Sequence, residues 1–168
     1  FKNIYDGSKF FMDPILSMDI QQSLNSDIAM ILDSLIDINK EYEQQVRAID
    51  TTKRWAQTAR DYHSNSNQSL FGIVQGGKHK ELREKSALDM LSLDFNGYAI
   101  GGLAIGETPK ERKDIVSFTV EMLPEDKLRY VMGLGDIEGM LELIELGIDI
   151  FDCVWPARLA RHGKIINK

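Results

Sequence analysis

Cysteine is almost missing from this chain: Cys153 is the single one in 168 residues. A lone thiol excludes a disulfide framework within the chain and fits a reducing, cytoplasmic compartment. The three histidines, His63, His79 and His162, show no metal-ligand spacing. No apolar run reaches the length of a membrane span, so no membrane partner is expected. The first residues, FKNIYDGSKFF, lack the basic and apolar regions of a signal peptide. They also lack an initiator Met, which predicts a chain that begins inside a longer product. Positive charge is in deficit, with a net charge of −6. That argues weakly against a nucleic-acid binder, although phosphate binding needs a positive face and not a positive total. No repeat, linker or low-complexity segment interrupts the sequence. What remains has the apolar and charged fractions of an ordinary globular domain with its own core.

Short apolar runs alternate with longer helix-like stretches. Ile28–Leu32, Leu70–Val74, Gly97–Leu103, Leu128–Met132 and Ile148–Val154 read as strands buried on both faces. Helices are expected over Ile15–Leu24, opened by Asp13-Pro14, and over Glu41–His63, Lys80–Leu91, Glu111–Met122 and Ile137–Leu146. In the second, Val46, Ile49, Trp55 and Ala59 are spaced for one apolar face; in the third, Leu82, Ala87, Leu88 and Leu91. Pro109 and Pro124 fall at helix margins, where proline is tolerated. The β-α alternation implies a parallel sheet with right-handed crossovers, either doubly wound or part of a (β/α)8 barrel. Asp33, Gln75, Gly101-Gly102, Gly133 and Asp152 recur at strand C-termini, where both architectures place their sites.

Each of these residues has two readings. Gly97–Glu107, GYAIGGLAIGE, is either a tight strand-to-helix turn or a surface on which a flat ligand lies against backbone. Its GGxxxG spacing is not the GxGxxG of a dinucleotide site. Gln75, in FGIVQGG, either caps the next element or reads a base edge with its amide. Asp33 is either a helix cap or an acceptor for substrate N–H groups. Asp152, inside the run IFDCVWPAR, needs a partner or a task. It either pairs with Arg158 or Arg161, or attacks an anomeric carbon as a nucleophile. Cys153 reads as a small core residue. Arg158, Arg161, His162, Lys164 and Lys168 form a local basic strip without an acid, either a solvated tail or a phosphate-contacting surface.

Taken together, SDIAMILD, FGIVQGG, GYAIGGLAIGE, RYVMGLG and GIDIFDCVWPAR, in this order, resemble the strand-end motifs of bacterial-type tRNA-guanine transglycosylases. YDGSKFFMDPILSMDIQ is similar to the region that precedes them. The resemblance implies a parallel (β/α)8 TIM-type barrel, of which residues 1–168 would be a single partial domain, roughly the C-terminal half. It implies a transferase that exchanges the wobble-position guanine of tRNA for a 7-deazaguanine in queuosine biosynthesis, with the ribose held covalently on Asp152. Asp33 and Gln75 would read the base edge, the backbone of Gly102 and Leu103 would contact it, and Met132 and Tyr130 would lie beside it. Gly133, Leu134, Gly135, Asp136, Ile137, Glu138 and Gly139 would touch the tRNA anticodon loop, as would Ala157, Arg158, Leu159, Ala160 and Arg161.

The family usually continues after the substrate Asp with a Glu-Cys-Thr-Pro-Tyr-Pro-like stretch, where this chain has Ser34-Leu35-Ile36-Asp37-Ile38-Asn39. Ile105 stands where queuine-using relatives tend to carry a smaller residue, which favours preQ1. A second catalytic Asp and a base-stacking aromatic are expected upstream of Phe1. A zinc-binding subdomain is expected downstream of Lys168, so that Zn2+ belongs to the longer parent and no cofactor to this segment. The isolated segment is expected to be incompetent for full catalysis, and its open strand edges predict a homo-oligomer. Two other readings stay open. One is a non-catalytic accessory subunit of the same fold. The other is a barrel enzyme for a phosphorylated small molecule, with Gly133 and Gly135 at the phosphate.

Overall fold

The computed structural model describes residues 2–103 and 105–165. Its order is α1 (Pro14–Leu24), β1 (Ile28–Met30), α2 (Tyr42–Tyr62), β2 (Ser69–Val74), α3 (Lys80–Leu91), β3 (Gly97–Ile100), α4 (Pro109–Val120), β4 (Leu128–Val131), α5 (Ile137–Ile144), β5 (Ile150–Phe151) and α6 (Trp155–Arg161). The five strands pair in sequence order, β1-β2-β3-β4-β5, and every pairing is parallel. The sheet curls into a half-barrel flanked by its helices. This is a partial (β/α) barrel, one of the two architectures the alternation leaves open and the one the resemblance implies.

The element boundaries follow local chemistry. Asp13 accepts a hydrogen bond from the Leu16 N–H at 2.8 Å, and Pro14 occupies the first turn of α1. Thr108 and Glu111 form a reciprocal capping box at the start of α4, so this helix begins at Pro109, before the expected Glu111. The strands are shorter than the apolar runs that announce them. β5 in particular retains only Ile150 and Phe151 of the expected Ile148–Val154, because the residues after it turn away toward the site and into α6. That short helix was read from sequence as a tail or strip. Lys168, which belonged to the same strip, lies outside the described residues.

Two helix faces differ from expectation. The buried stripe of α2 is Gln45, Ala48, Ile49, Thr52, Ala56 and Ala59. Small residues let the helix approach the sheet closely, and the bulkier Val46 and Trp55 sit half-buried at its margin. In α3, Leu88 is 61% exposed, while Arg83, Ser86, Ala87 and Met90 turn inward with Leu82. The core itself is continuous, running from Met18 and Ala29 through Leu70, Ile73, Val74, Tyr98, Ala99 and Ile100 to Val131 and Leu143.

β1 and β5 are the ends of the sheet. At β1 the outward backbone is not left bare. The Gln21 amide donates to the Met30 carbonyl at 2.9 Å and accepts from the Met30 N–H at 2.8 Å. Ser26 Oγ donates to the Ile28 carbonyl at 2.8 Å. These side chains take the place of a neighbouring strand along most of a three-residue edge.

Candidate active site at the strand ends

Four of the five strands hand following residues to one hollow. Asp33 follows β1, Gly101-Gly102 and Leu103 follow β3, Met132-Gly133 follow β4, and Asp152 follows β5. Together with Leu35 and Ile105 they line a cavity of about 340 Å³, in the range of a site for a small flat ligand. Gln75, at the end of β2, lies beneath it, 1% exposed. A second hollow of about 430 Å³ between α3 and α4 is lined by Lys80, Asp114, Ser117, Phe118 and Glu121. It contains none of the strand-end residues.

The cap readings of Asp33 and Gln75 do not hold. The helix after Asp33 starts only at Tyr42, and neither it nor α3 receives a side-chain cap. Instead the Gln75 amide Nε2 donates to Asp33 Oδ2. The loop that carries Asp33 is fastened to α2: the Ser34 N–H donates to Thr52 Oγ1 at 3.0 Å, and Gln45 Nε2 donates to the Asp37 carbonyl at 2.8 Å. Burial pushes the Asp33 carboxyl up from its ordinary value, and the hydrogen bond from Gln75 offsets part of that. A poorly solvated carboxylate that makes no ion pair among the described residues is prepared to accept N–H groups from a ligand.

Gln75 also explains the glycine pair. A Cβ on Gly101 would sit 2.6 Å from Gln75 Nε2 and 2.7 Å from Ile73 Cγ2. One on Gly102 would sit 2.8 Å from Gln75 Oε1, and Gly102 has φ +71°. The amide lies directly under the turn, so the turn has to be side-chain-free.

Asp152 is not paired with either arginine. Tyr130 Oη donates to its Oδ1 at 2.5 Å and the Gly133 N–H donates to the same oxygen at 2.7 Å. Oδ2 makes no hydrogen bond among the described residues. Burial, and then the bond to Asp152, push the Tyr130 hydroxyl far above its ordinary value, so it stays protonated as a donor. Cys153 packs its Cβ against Gly135, and its Sγ accepts from the Trp155 N–H at 3.2 Å. It serves as a spacer between the β4 loop and the start of α6.

The whole chain, residues 1–168, matches the family model described as queuine tRNA-ribosyltransferase. The chain belongs to that family. It is 48% identical over 167 residues to a queuine tRNA-ribosyltransferase of Thermotoga petrophila, covering 99% of this chain and 45% of the relative. The counterpart in Acetivibrio thermocellus is 45% identical over 168 residues, with 99% and 45% covered. That of Bacillus velezensis is 44% identical over 168 residues, with 99% and 44% covered. The chain thus spans less than half the length of these curated relatives.

Within the queuine tRNA-ribosyltransferase frame, the residues expected at the tRNA fall into two groups. In the stretch after β4, Leu134 is 4% exposed, and Asp136 caps α5 by accepting from the Gly139 N–H at 2.8 Å. Gly139 is buried, while Gly133, Ile137 and Glu138 are open. On α6, Ala157, Arg158, Ala160 and Arg161 are exposed and Leu159 is half-buried. Neither Arg158 nor Arg161 makes an ion pair among the described residues. No group of three His, Cys, Asp or Glu among those residues could hold a metal ion, and no helix of the structure is long and apolar enough to cross a membrane.

The residue that sequence reasoning missed is Arg83. It is 1% exposed and lies under the same strand ends. Its signal was present: Arg83 shares the α3 stripe with Ala87 and Met90 at helical spacing, and a charge on an apolar stripe needs a reason.

Proposed function

We propose that this chain supplies the base-reading and nucleophilic side of a tRNA-guanine transglycosylase. Such an enzyme exchanges the wobble-position guanine of tRNA for a 7-deazaguanine, in the cytoplasm where tRNA is modified. The observation that carries the reading is the state of Asp152. One carboxylate oxygen is fixed by two donors, and the other accepts no hydrogen bond among the described residues, in a hollow that Asp33 also lines. In the reaction proposed, Oδ2 of Asp152 attacks C1′ of the ribose while the C1′–N9 bond breaks and its electron pair leaves on guanine. The departing guanine N9 takes up a proton, N9 of the incoming base gives up its own as it attacks C1′, and the Asp152 carboxylate is released, so the exchange balances in protons. Tyr130 Oη and the Gly133 N–H hold the carboxylate for attack and stabilise its charge when it leaves. No further energy source is required, since one glycosidic bond replaces another.

On the base, the Asp33 carboxylate would accept from the N1–H and 2-amino groups. The Gln75 amide and the backbone of Gly102 and Leu103 would meet the remaining polar edge, and Met132 would lie against the ring. Leu35 and Ile105 narrow the rim of the hollow, which favours the compact preQ1 over queuine. Arg158 and Arg161 would meet the anticodon-loop phosphates. Zn2+ has no ligand set among the described residues and enters none of these steps.

The deciding experiment uses the full-length gene product and a tRNA with guanine at the wobble position. Asp152→Asn should abolish the covalent protein–tRNA adduct on a denaturing gel while leaving tRNA binding in place, because the amide is nearly isosteric and a far poorer nucleophile. An adduct that persists in Asp152→Asn overturns the reading.

A further inference from the structure

Arg83 stands on α3, outside the hollow, yet its guanidinium is threaded under three of the segments that build it. Nε donates to the Gly77 carbonyl at 2.9 Å. Nη1 donates to the Val74 carbonyl at 3.1 Å and to the Gly101 carbonyl at 2.9 Å. Val74 and Gly77 bracket Gln75 and Gly76, and Gly101 precedes Gly102. One planar group therefore fixes the backbone on both sides of the amide that touches Asp33, and ties it to the turn that lies above that amide. The Nη2 atom lies 3.5 Å from the position a Gly102 Cβ would take and is buried with no hydrogen-bond partner among the described residues. Burial pulls the guanidinium down to about 10, with the charge of Glu107 acting in the opposite direction, so it remains a cation at neutral pH.

An uncompensated buried donor on a fully buried cation is expensive for a fold. Leucine or methionine would fill the same space without that cost. Nor does a helix on the outside of a barrel need a guanidinium to pack on the sheet. What the guanidinium does, and an aliphatic chain does not, is set the direction of three carbonyls and so the direction of the peptide groups beside them.

We infer that Arg83 is the positioning residue of the base site. It holds the Gly101-Gly102 turn and Gln75 in one register, so that the Gly102–Leu103 backbone is presented to the oxygen at position 6 of a guanine-like base. This rests on the base-binding reading above. The fork geometry is what matters: lysine keeps the charge but can satisfy at best part of the carbonyl set.

The test is a titration of the full-length gene product with guanine and with 6-thioguanine, which differ only in the acceptor at position 6. The wild-type chain, Arg83→Lys and Arg83→Gln are compared, with thermal midpoints recorded alongside. The expected result is a wild type that prefers guanine, and variants that lose about tenfold in guanine affinity while 6-thioguanine binding changes much less, so that the preference collapses. A purely structural role would weaken both ligands equally in proportion to lost stability, and that outcome overturns the inference. So does an unchanged preference in a folded variant. A wild type that binds neither base removes the base-binding reading itself and leaves the two failures distinguishable. Should neither variant fold, the wild type still decides: the Arg83 Nε–H resonance should shift when guanine is added, and a resonance indifferent to a base that binds overturns the proposal.

Discussion

Gly102→Ala is the substitution whose consequence the structure fixes most closely. Two costs apply. The backbone sits at φ +71°, where a non-glycine residue costs about 1 kcal/mol or more. The new methyl would also stand 2.8 Å from Gln75 Oε1, so the amide has to move. Moving it loosens the charge-assisted bond to Asp33, worth roughly 1.5–3 kcal/mol. The sum is about 2–4 kcal/mol, or a fall of about 5–15 °C in the unfolding midpoint for a chain of this size. Urea denaturation with a double-mutant cycle apportions it. In a Gln75→Ala background the methyl meets only an ordinary van der Waals contact with Arg83 Nη2 at 3.5 Å, and only the backbone cost of about 1 kcal/mol should remain. The coupling between the two substitutions should then be about 1–3 kcal/mol. Additive effects would show that the amide does not lie under the turn. The account of the glycine pair, and the placement of Gln75 beside Asp33, would fall with it.

Other perturbations separate the roles of the remaining residues. Asp33 has a folded pKa raised above its ordinary 3.8, so the folded state binds the extra proton and stability falls as pH rises from about 3.8 through the folded value. Asp33→Asn should therefore be more stable than wild type at neutral pH, lack that slope in pH-resolved melting, and lose guanine affinity. A variant that is destabilised at pH 7 would contradict the desolvation argument. Gln21→Ala should uncover the Met30 backbone and shift the chain toward association in sedimentation velocity, whereas an unchanged monomer fraction would show that the β1 edge is protected by something else. Arg158→Ala and Arg161→Ala should leave the melting temperature in place, since neither side chain makes an ion pair among the described residues. In the full-length product each should flatten the log–log salt dependence of tRNA binding by somewhat less than about 0.9, the duplex figure. An unchanged slope in both removes the phosphate role from α6.

The strands and helices were legible because their signals are local. Apolar runs bounded by Gly or polar residues located all five strands, and Asp13-Pro14 and Pro109 marked two helix starts. Periodicity served less well for α2 and α3, where the inward stripe contains Gln45, Thr52, Arg83 and Ser86. A count of apolar residues passes over such positions. The pairing of Asp152 was not legible at all. From sequence, the nearby Arg158 and Arg161 were its natural partners, while the actual donors are Tyr130, 22 positions away, and a backbone N–H. Proximity along the chain loses to the register β4–β5, which pairs Tyr130 with Ile150 and so brings the Tyr130 hydroxyl within reach of the residue two places on.

The same geometry bears on why this site is costly to keep. Among the described residues Asp33 is desolvated with no ion pair, Arg83 is enclosed with one donor unpaired, and Gly101-Gly102 give up side-chain packing at the end of a core strand. Each choice lowers stability relative to an apolar alternative, and none is needed to close a β-α unit. They occupy one small volume, with Arg83 under Gln75, Gln75 under the glycine turn, and Asp33 at the side. Costs that fall at random over a sheet would be tolerated defects; costs concentrated at three consecutive strand ends and the arginine beneath them are the physical mark of a ligand site. The argument has a direct consequence. Replacing Arg83 by Met together with Asp33 by Asn removes both buried charges at once. If stability is what the site gives up, the double variant should unfold at a higher urea concentration than Arg83→Met alone and bind no guanine. A double variant less stable than Arg83→Met would show that the carboxylate supports the fold, and that the concentration of charge here is structural.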